Sequence, residues 1–357
     1  MSGNRRAALS RLSRSELTGK GQTVLGVLDP DQFGPTLLHE HVLCDIRPPH
    51  WREMEPHGRD ILIHEHWPIN YGEVRAPGNL QLDEVDLAID EIRSMIEDGG
   101  RTIVDLSCGG LSPDPEGLRT VADQTTSHIV MGCGYYVDEY QCEANRSRTV
   151  DSFAAEMIDQ VLEGAWGTDV RAGIIGEIGC QSPWTELEMD VMDAAVIAMQ
   201  ETGAALSIHP GRHHDQPQEV ANFLIDRGVE MARVVMSHID RTIFDADRLF
   251  RLADTGIVIE FDLFGMENSY YKWNPAVDMP NDAVRLRDIR MLLDRGHTGQ
   301  VAISHDICYR SRLRRYGGHG YGHIFRNVIP YMKRRGFSNN EIDEIIIATP
   351  RRLLTFS

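Results

Sequence analysis

Two histidines separated by one residue, His39 and His41, lie in the apolar segment PTLLHEHVL at 35–43. If this segment is a β-strand, alternate side chains share a face, so both imidazoles point one way and Glu40 points the other way. Two imidazoles side by side at a strand end can bind one metal ion, whereas a helix would need i, i+4 spacing. The pair by itself does not distinguish a metal site from a polar strand edge.

Four further ionisable residues lie at the ends of other apolar segments, namely Glu177, His209, His238 and Asp306. An unpaired buried carboxylate is costly, so Glu177 and Asp306 need partners. Together with His39 and His41 they make six candidate ligands, which is more than one tetrahedral zinc ion can bind. We therefore expect two divalent ions, ~3.5–4 Å apart, which need a bridging anion. Glu177 is the candidate bridge because a carboxylate has two oxygens; zinc is the first expectation, and Mn, Co or Fe also accept such ligands.

The segments that must position these residues are eight short β-rich runs, each followed by an amphipathic helical stretch. Continuous apolar runs are typical of strands buried on both faces. The alternation predicts an α/β protein with a (β/α)8 TIM barrel, in which active sites lie at the carboxyl ends of the strands. A doubly wound open sheet is the alternative, although no GxGxxG or GxxxxGK[ST] motif follows a strand. The predicted strands are 35–42, 101–108, 128–136, 171–179, 205–210, 233–239, 257–263 and 301–307. The predicted helices are 82–98, 115–126, 149–165, 184–202, 216–228, 243–255, 282–296, 320–336 and 339–354.

Composition narrows the class of partner. The 357 residues include 54 acids and 36 bases, and this net charge of −18 argues against nucleic acid or an anionic membrane as the main partner. No apolar run is long enough for a membrane-spanning helix. The six cysteines have no CxxC spacing, which is typical of reduced thiols in a cytoplasmic protein. We predict a flexible N-terminal tail at 1–20, a single barrel domain at 21–357, and a small-molecule substrate.

Five motifs in chain order resemble those of the phosphotriesterase family of the amidohydrolase superfamily. They are TLLHEH at 36–41, RAGIIGE at 171–177, SIHP at 207–210, MSHID at 236–240 and ISHD at 303–306. Many members of that family bridge their metals with a carboxylated lysine, but this chain has no lysine between Lys20 and Lys272. A glutamate at position 177 resembles the branch of phosphotriesterase-related and phosphotriesterase homology proteins.

The resemblance also implies a ligand set and a reaction. A buried metal ion would be bound by His39, His41 and Asp306. A more exposed ion would be bound by His209 and His238, and Glu177 would bridge the two ions together with a water or hydroxide. The bridging hydroxide would attack a carboxylic ester, lactone or amide, and Asp306 would take the proton and pass it to the leaving group. A homodimer is a candidate assembly by the same resemblance.

Two departures from the family pattern weaken the alternative of a phosphotriester hydrolase. Leu263 follows Asp262 where true phosphotriesterases have a histidine, and Arg241 replaces an acid of their proton relay. A second alternative is a non-catalytic binding protein stabilised by metal. Structural zinc sites are usually closed and rich in sulfur, and the absence of a cysteine ligand here favours the enzyme.

The predicted loop after the last strand suggests the kind of substrate. It reads CYRSRLRRYGGHGY at 308–321 and contains four arginines. Because arginine binds carboxylate, sulfonate or phosphate in bidentate fashion, we predict that Arg310 and Arg312 bind an anionic group of the substrate. Tyr309 and Tyr135 are predicted to contribute to the pocket wall. A solvated basic loop is the alternative interpretation of the arginines.

Overall fold

Eight parallel strands form the central sheet of the computed structural model, which describes residues 11–357. Their order in the sheet is their order in the chain, so each strand pairs with its sequence neighbours. All eight predicted strands are present, with ladders shorter than the predicted segments. They are β1 (Thr36–Glu40), β2 (Thr102–Asp105), β3 (His128–Cys133), β4 (Ile174–Gly179), β5 (Leu206–His209), β6 (Val234–Met236), β7 (Val258–Phe261) and β8 (Val301–Ile303).

The sheet curves so that β8 returns to β1. The backbone N–H of Asp306 donates to the carbonyl of His39 at 3.2 Å, and the N–H of His39 donates to Ser304 Oγ at 3.1 Å. The carboxylate of Glu40 accepts hydrogen bonds across the same junction from Ser304, His305 and Ile307. These contacts complete the predicted (β/α)8 barrel, which is confirmed.

Helices follow the strands and cover the outside of the barrel. The capping box at Thr185 illustrates how the sequence starts them: Thr185 Oγ1 accepts from the N–H of Glu188, whose carboxylate accepts from the N–H of Thr185, both at 3.2 Å. Gly203, with φ of 78°, ends the same helix. The helices are α1 (Val85–Glu97), α2 (Pro115–Thr125), α3 (Val150–Leu162), α4 (Glu186–Thr202), α5 (Gln216–Asp226), α6 (Ala246–Ala253), α7 (Asp282–Asp294) and α8 (Ile329–Arg334), the last preceded by a π-helical turn at Ile324–Val328. The terminal helix comprises Asn339–Asp343, Glu344–Ala348 and Thr349–Leu354.

The interior of the barrel below the carboxyl ends is filled by one apolar side chain from each strand or its first flank. These residues are Leu38, Val104, Val130, Ile174, Ala205, Val235, Val258 and Ala302, all buried. Such a packed layer excludes water and gives the polar residues above it a rigid floor. No helix within residues 11–357 combines the length and apolar character needed to cross a bilayer.

The segment before the barrel differs from the predicted flexible tail at 1–20. Residues 1–10 lie outside the described part of the chain. Leu17 is fully buried, and the Arg14 guanidinium donates to the carbonyls of Gln200 at 2.7 Å and Ser357 at 3.1 Å. Residues 11–20 therefore pack on the barrel, because Leu17 is buried against it and Arg14 donates hydrogen bonds to its carbonyls.

Candidate metal centre

The six predicted ligands meet at the carboxyl ends of the strands. They form two groups, and within each group the ligand atoms all lie within 4.8 Å of one another. Five of the six residues also line a cavity of about 450 Å³. One group is His39, His41 and Asp306, and the other is Glu177, His209 and His238.

Glu177 lies between the two groups. Its Oε1 atom is 3.4 Å from His41 Nε2 and its Oε2 atom is 2.9 Å from His209 Nδ1. Oε2 is also 3.5 Å from His39 Nε2. One carboxylate therefore reaches ligands of both groups, as a bridge between two cations must.

Irregular pairing in β1 and β4 turns the ligands into the barrel. The register shifts between Leu37 and Glu40 on β1 and between Ile175 and Ile178 on β4. A bulge interrupts the two-residue alternation and re-aims the side chains around it. This is why His39 and Glu177 reach the centre although Leu38 and Ile174 already occupy the barrel interior.

Hydrogen bonds on the outer nitrogens orient two of the imidazoles. His39 Nδ1 lies 3.0 Å from Ser237 Oγ and 3.2 Å from a carboxylate oxygen of Glu260. His238 Nδ1 lies 2.8 Å from Asp262 Oδ1. With a carboxylate accepting at Nδ1, each ring directs the lone pair of Nε2 towards the centre, as in metal-binding histidines.

The unsatisfied atoms of the centre fit a cation. His39 Nε2 is buried and has no hydrogen-bond partner within the described residues. His238 Nε2 faces His209 Nδ1 at 2.8 Å, so two imidazole nitrogens point at each other. Buried nitrogens of this kind need a proton or a metal between them, and the imidazole and carboxylate donors suit zinc and related divalent ions.

Asp262 also holds the backbone of His238. His238 has a φ of 56° and is not glycine, a conformation that costs about 1–3 kcal/mol. The Asp262 carboxylate accepts from the N–H of His238 at 2.8 Å as well as contacting the ring. The strain is thus maintained by the same side chain that orients the imidazole.

Local charges favour ionised carboxylates beside a neutral histidine. Burial opposes the ionisation of Asp306, but the His41 hydrogen bond and the nearby imidazoles outweigh it and lower the pKa of Asp306 to about 2. Burial, reinforced by His238, lowers the pKa of His209 to about 3. Burial also opposes ionisation of Glu177, whereas His209 and His238 bring its pKa well below its usual range. Burial opposes protonation of His41, but Asp306 and Glu177 outweigh it and raise the pKa of His41 to about 10, so a metal bound there would replace a proton.

Of the four predicted substrate-binding residues, only Tyr309 lines the cavity above the centre. Tyr135 differs from its prediction, because its hydroxyl donates to Glu156 at 2.7 Å and accepts from Arg148 at 2.6 Å. The next residue, Tyr136, lines the cavity instead. The wall also contains four aromatic residues from three loops, namely Trp51, Tyr140, Tyr271 and Trp273.

The two predicted arginines are also placed differently. Arg310 is fully buried and pairs with Asp83 at 3.0 Å and Glu84 at 2.7 Å. Arg312 donates to the carbonyls of Asp306 at 2.8 Å and Phe264 at 3.1 Å, and it lines an adjoining pocket of about 210 Å³. Both guanidinium groups hold loops together behind the wall rather than facing the main cavity.

The placement of Arg310 predicts a structural effect. In Arg310→Met, we expect the free energy of unfolding to fall by about 1–3 kcal/mol, because charge-assisted hydrogen bonds to Asp83, Glu84 and the Gln81 carbonyl are lost. We expect KM for an anionic substrate to stay unchanged. Urea titration and steady-state kinetics measure the two quantities. A raised KM with unaltered stability would instead return Arg310 to substrate binding.

Three charged residues of the centre were not assigned these roles by sequence reasoning. Arg212 and Arg241 line the cavity, and each follows a predicted ligand, His209 or His238, by three residues. That shared offset on neighbouring strands is the signal that could have found the two arginines. Glu260 precedes Asp262 by two residues on a buried strand, so period-two alternation would have directed both acids to the barrel interior.

Comparisons of the sequence and of the structure with known proteins point to the same family. The sequence profile of the phosphotriesterase family matches residues 19–354. The N-acetyltaurine hydrolase of Xenopus tropicalis is 39% identical over 96% of this chain and 99% of its own length. The crystal structure of a resiniferatoxin-binding protein from Rhodobacter sphaeroides has a TM-score of 0.88 and 32% identity over 97% of this chain and 98% of that one. The phosphotriesterase homology protein from Escherichia coli, complexed with phosphate in the active site, has a TM-score of 0.73 and 27% identity, covering 91% and 99%. This chain belongs to the phosphotriesterase family and is a metal-dependent hydrolase.

Proposed function

We propose that this protein hydrolyses the amide bond of a small N-acylated compound with an anionic group, using two divalent metal ions, zinc first among them. The observation that carries the proposal is the position of Glu177, whose two oxygens reach both ligand groups beside the unpartnered His39 Nε2. Bound cations would lower the pKa of a water between them towards neutrality and polarise the acyl oxygen. His39, His41 and Asp306 would hold the buried ion, and His209 and His238 the exposed one.

Asp306 is the residue to which we assign proton transfer. Its side chain is 17% exposed, the largest fraction among the six ligands, and it faces the cavity. One oxygen lies 3.3 Å from His41 Nε2, which leaves the other available for a proton. Asp306 would take the proton from the attacking water and deliver it to the amide nitrogen as the C–N bond breaks. An amine is a poor leaving group without that proton.

Two observations support an amide over a phosphotriester. The position after Asp262 is occupied by Leu263, a buried apolar residue whose side chain cannot transfer a proton. Relatives at 38–39% identity are named N-acetyltaurine hydrolases, and N-acetyltaurine is an amide with a sulfonate group. A neutral triester would leave Arg212 and Arg241, which line the cavity, without a counter-charge.

The metal requirement is tested by removal and return of the ions. After dialysis against a chelator we expect hydrolysis to be lost while the far-ultraviolet circular dichroism keeps its native shape. Activity should return on adding zinc, manganese or cobalt, because the ligands come from strands that the apolar layer and the closed sheet already position. Full activity in protein shown by elemental analysis to be free of metal would contradict the proposal.

The substrate class is tested with the metal-loaded enzyme on a matched panel. The panel contains N-acyl amino sulfonates, N-acyl amino acids, simple esters, lactones and a dialkyl aryl phosphotriester. We expect the highest kcat/KM for an anionic N-acyl compound. Dominant turnover of the phosphotriester would reject the amide assignment while leaving the metal centre intact.

A further inference from the structure

Two arginines of the cavity wall have no acidic partner. Arg241 is 2% exposed, and Arg212 is exposed at the mouth of the same cavity. No carboxylate among residues 11–357 lies within 4.0 Å of either guanidinium. Of the four other buried arginines in the described part of the chain, Arg285 and Arg310 pair with acids, whereas Arg233 and Arg312 donate to carbonyls. A buried cation without a counter-ion is costly. Arg241 is such a cation, and it lines the cavity, where a bound anion would offset its charge.

The hydrogen bonds of Arg241 are all to neutral acceptors. Its guanidinium donates to Thr242 Oγ1 at 3.2 Å and to the Pro210 carbonyl at 3.1 Å. The third contact is at 3.2 Å with His209 Nε2, the nitrogen on the far side of the ring from Glu177. These bonds fix the direction of the group without neutralising it.

Arg212 and Arg241 share one aromatic surface. Their guanidinium carbons lie 5.8 Å and 5.7 Å from the ring centroid of Tyr271. Cation–π contact orients a guanidinium but does not cancel its charge. Asp240, next to Arg241 in the chain, is paired with Arg285, and Glu139 lines the same cavity without an ion pair to Arg212. Two like charges are therefore held towards one space.

We infer that Arg212 and Arg241 bind the anionic end of the substrate, an inference that rests on the proposed hydrolysis at the metal centre. Guanidinium groups match the geometry of sulfonate and carboxylate oxygens. Arg241 lies one imidazole ring away from the Glu177 side of His209, so the anion and the scissile amide must be close together. The substrate class is an N-acyl amino sulfonate or carboxylate with a short spacer of two or three atoms between nitrogen and anion.

The test uses the metal-loaded enzyme and two amide substrates. The two substrates are identical except that one ends in a sulfonate and the other in a neutral hydroxyl. In Arg212→Gln and in Arg241→Gln we expect the ratio of kcat/KM, anionic over neutral, to fall about 10- to 100-fold, the effect of one lost charge-assisted hydrogen bond. Arg248→Gln is the matched control, because Arg248 pairs with Asp215 and Asp245 outside the cavity. Lengthening the spacer to six atoms should lower the ratio in the parent enzyme.

A parallel measurement separates this inference from the proposed function. Calorimetric binding of propanesulfonate, with propanol as the neutral probe, does not depend on turnover. We expect each arginine variant to weaken propanesulfonate binding about tenfold and to leave its metal content unaltered. An unchanged ratio and unchanged binding in both variants, or equal losses on both substrates, would overturn the inference. Failure of the parent enzyme to hydrolyse either amide, with sulfonate binding still dependent on the arginines, would reject the proposed reaction alone.

Discussion

Glu177→Gln is expected to lower kcat/KM roughly 1000-fold, which corresponds to about 4 kcal/mol of lost transition-state stabilisation. Glutamine has almost the same shape, but one of its two oxygens becomes an NH2 group that cannot bind a cation. The distances from Glu177 to His41 and His209 mean that this change removes the contact to one ion of the proposed pair. Elemental analysis should find less metal per chain than in the parent protein.

A matched control for this variant is Glu139→Gln, which changes a carboxylate of the same cavity outside both ligand groups. We expect it to retain its metal. If Glu177→Gln kept both its metal content and its turnover, the bridging role of Glu177 would be withdrawn, together with the two-ion reaction built on it.

Asp306→Asn is expected to lower kcat about 10²- to 10⁴-fold with a much smaller change in KM. The amide keeps an oxygen for the ion held with His39 and His41, but it cannot accept a proton at neutral pH. Steady-state kinetics on an alkyl amide measure this effect. An activated anilide, whose leaving amine needs less help from a proton, should lose less activity than the alkyl amide.

The anilide comparison is what distinguishes proton transfer from simple damage to the centre. Damage to metal binding would lower turnover of both amides alike, and elemental analysis would reveal it directly. Near-normal kcat on the alkyl amide would remove Asp306 from the proton path.

The barrel was predictable because each of its strands is a short buried apolar run and each is followed by an amphipathic helix. The clustering of the predicted ligands could be anticipated for a related reason: Glu177 lies in an apolar strand and Asp306 just after one, where only a strong partner offsets their desolvation. Both features are local in sequence, and the alternation of strand and helix repeats along the whole barrel. The irregular register of β1 and β4 was not predictable, since a two-residue alternation carries no sign of a bulge.

The substrate wall was harder to predict, because the role of a loop arginine depends on residues far away in the chain. Arg310 meets Asp83 and Glu84 more than 200 positions earlier, and nothing in the loop sequence reveals these partners. Arg241 directly follows Asp240, and Arg212 precedes Asp215 by three residues. Neither arginine pairs with that neighbour, because Asp240 pairs with Arg285 and Asp215 with Arg248. Sequence gives the number of charges in a loop, whereas the fold decides which of them are neutralised.

The junction between β8 and β1 has a consequence for how inactive variants are interpreted. Glu40 faces away from the cavity, and its carboxylate accepts from Ser304, His305 and Ile307. The chain segments that Glu40 joins carry the predicted ligands His41 and Asp306, so both the closure of the barrel and the positions of these two side chains depend on one carboxylate. Loss of activity on substitution of Glu40 would accordingly be a failure of barrel closure, caused by a buried residue behind the cavity that lines neither the cavity nor the candidate metal groups.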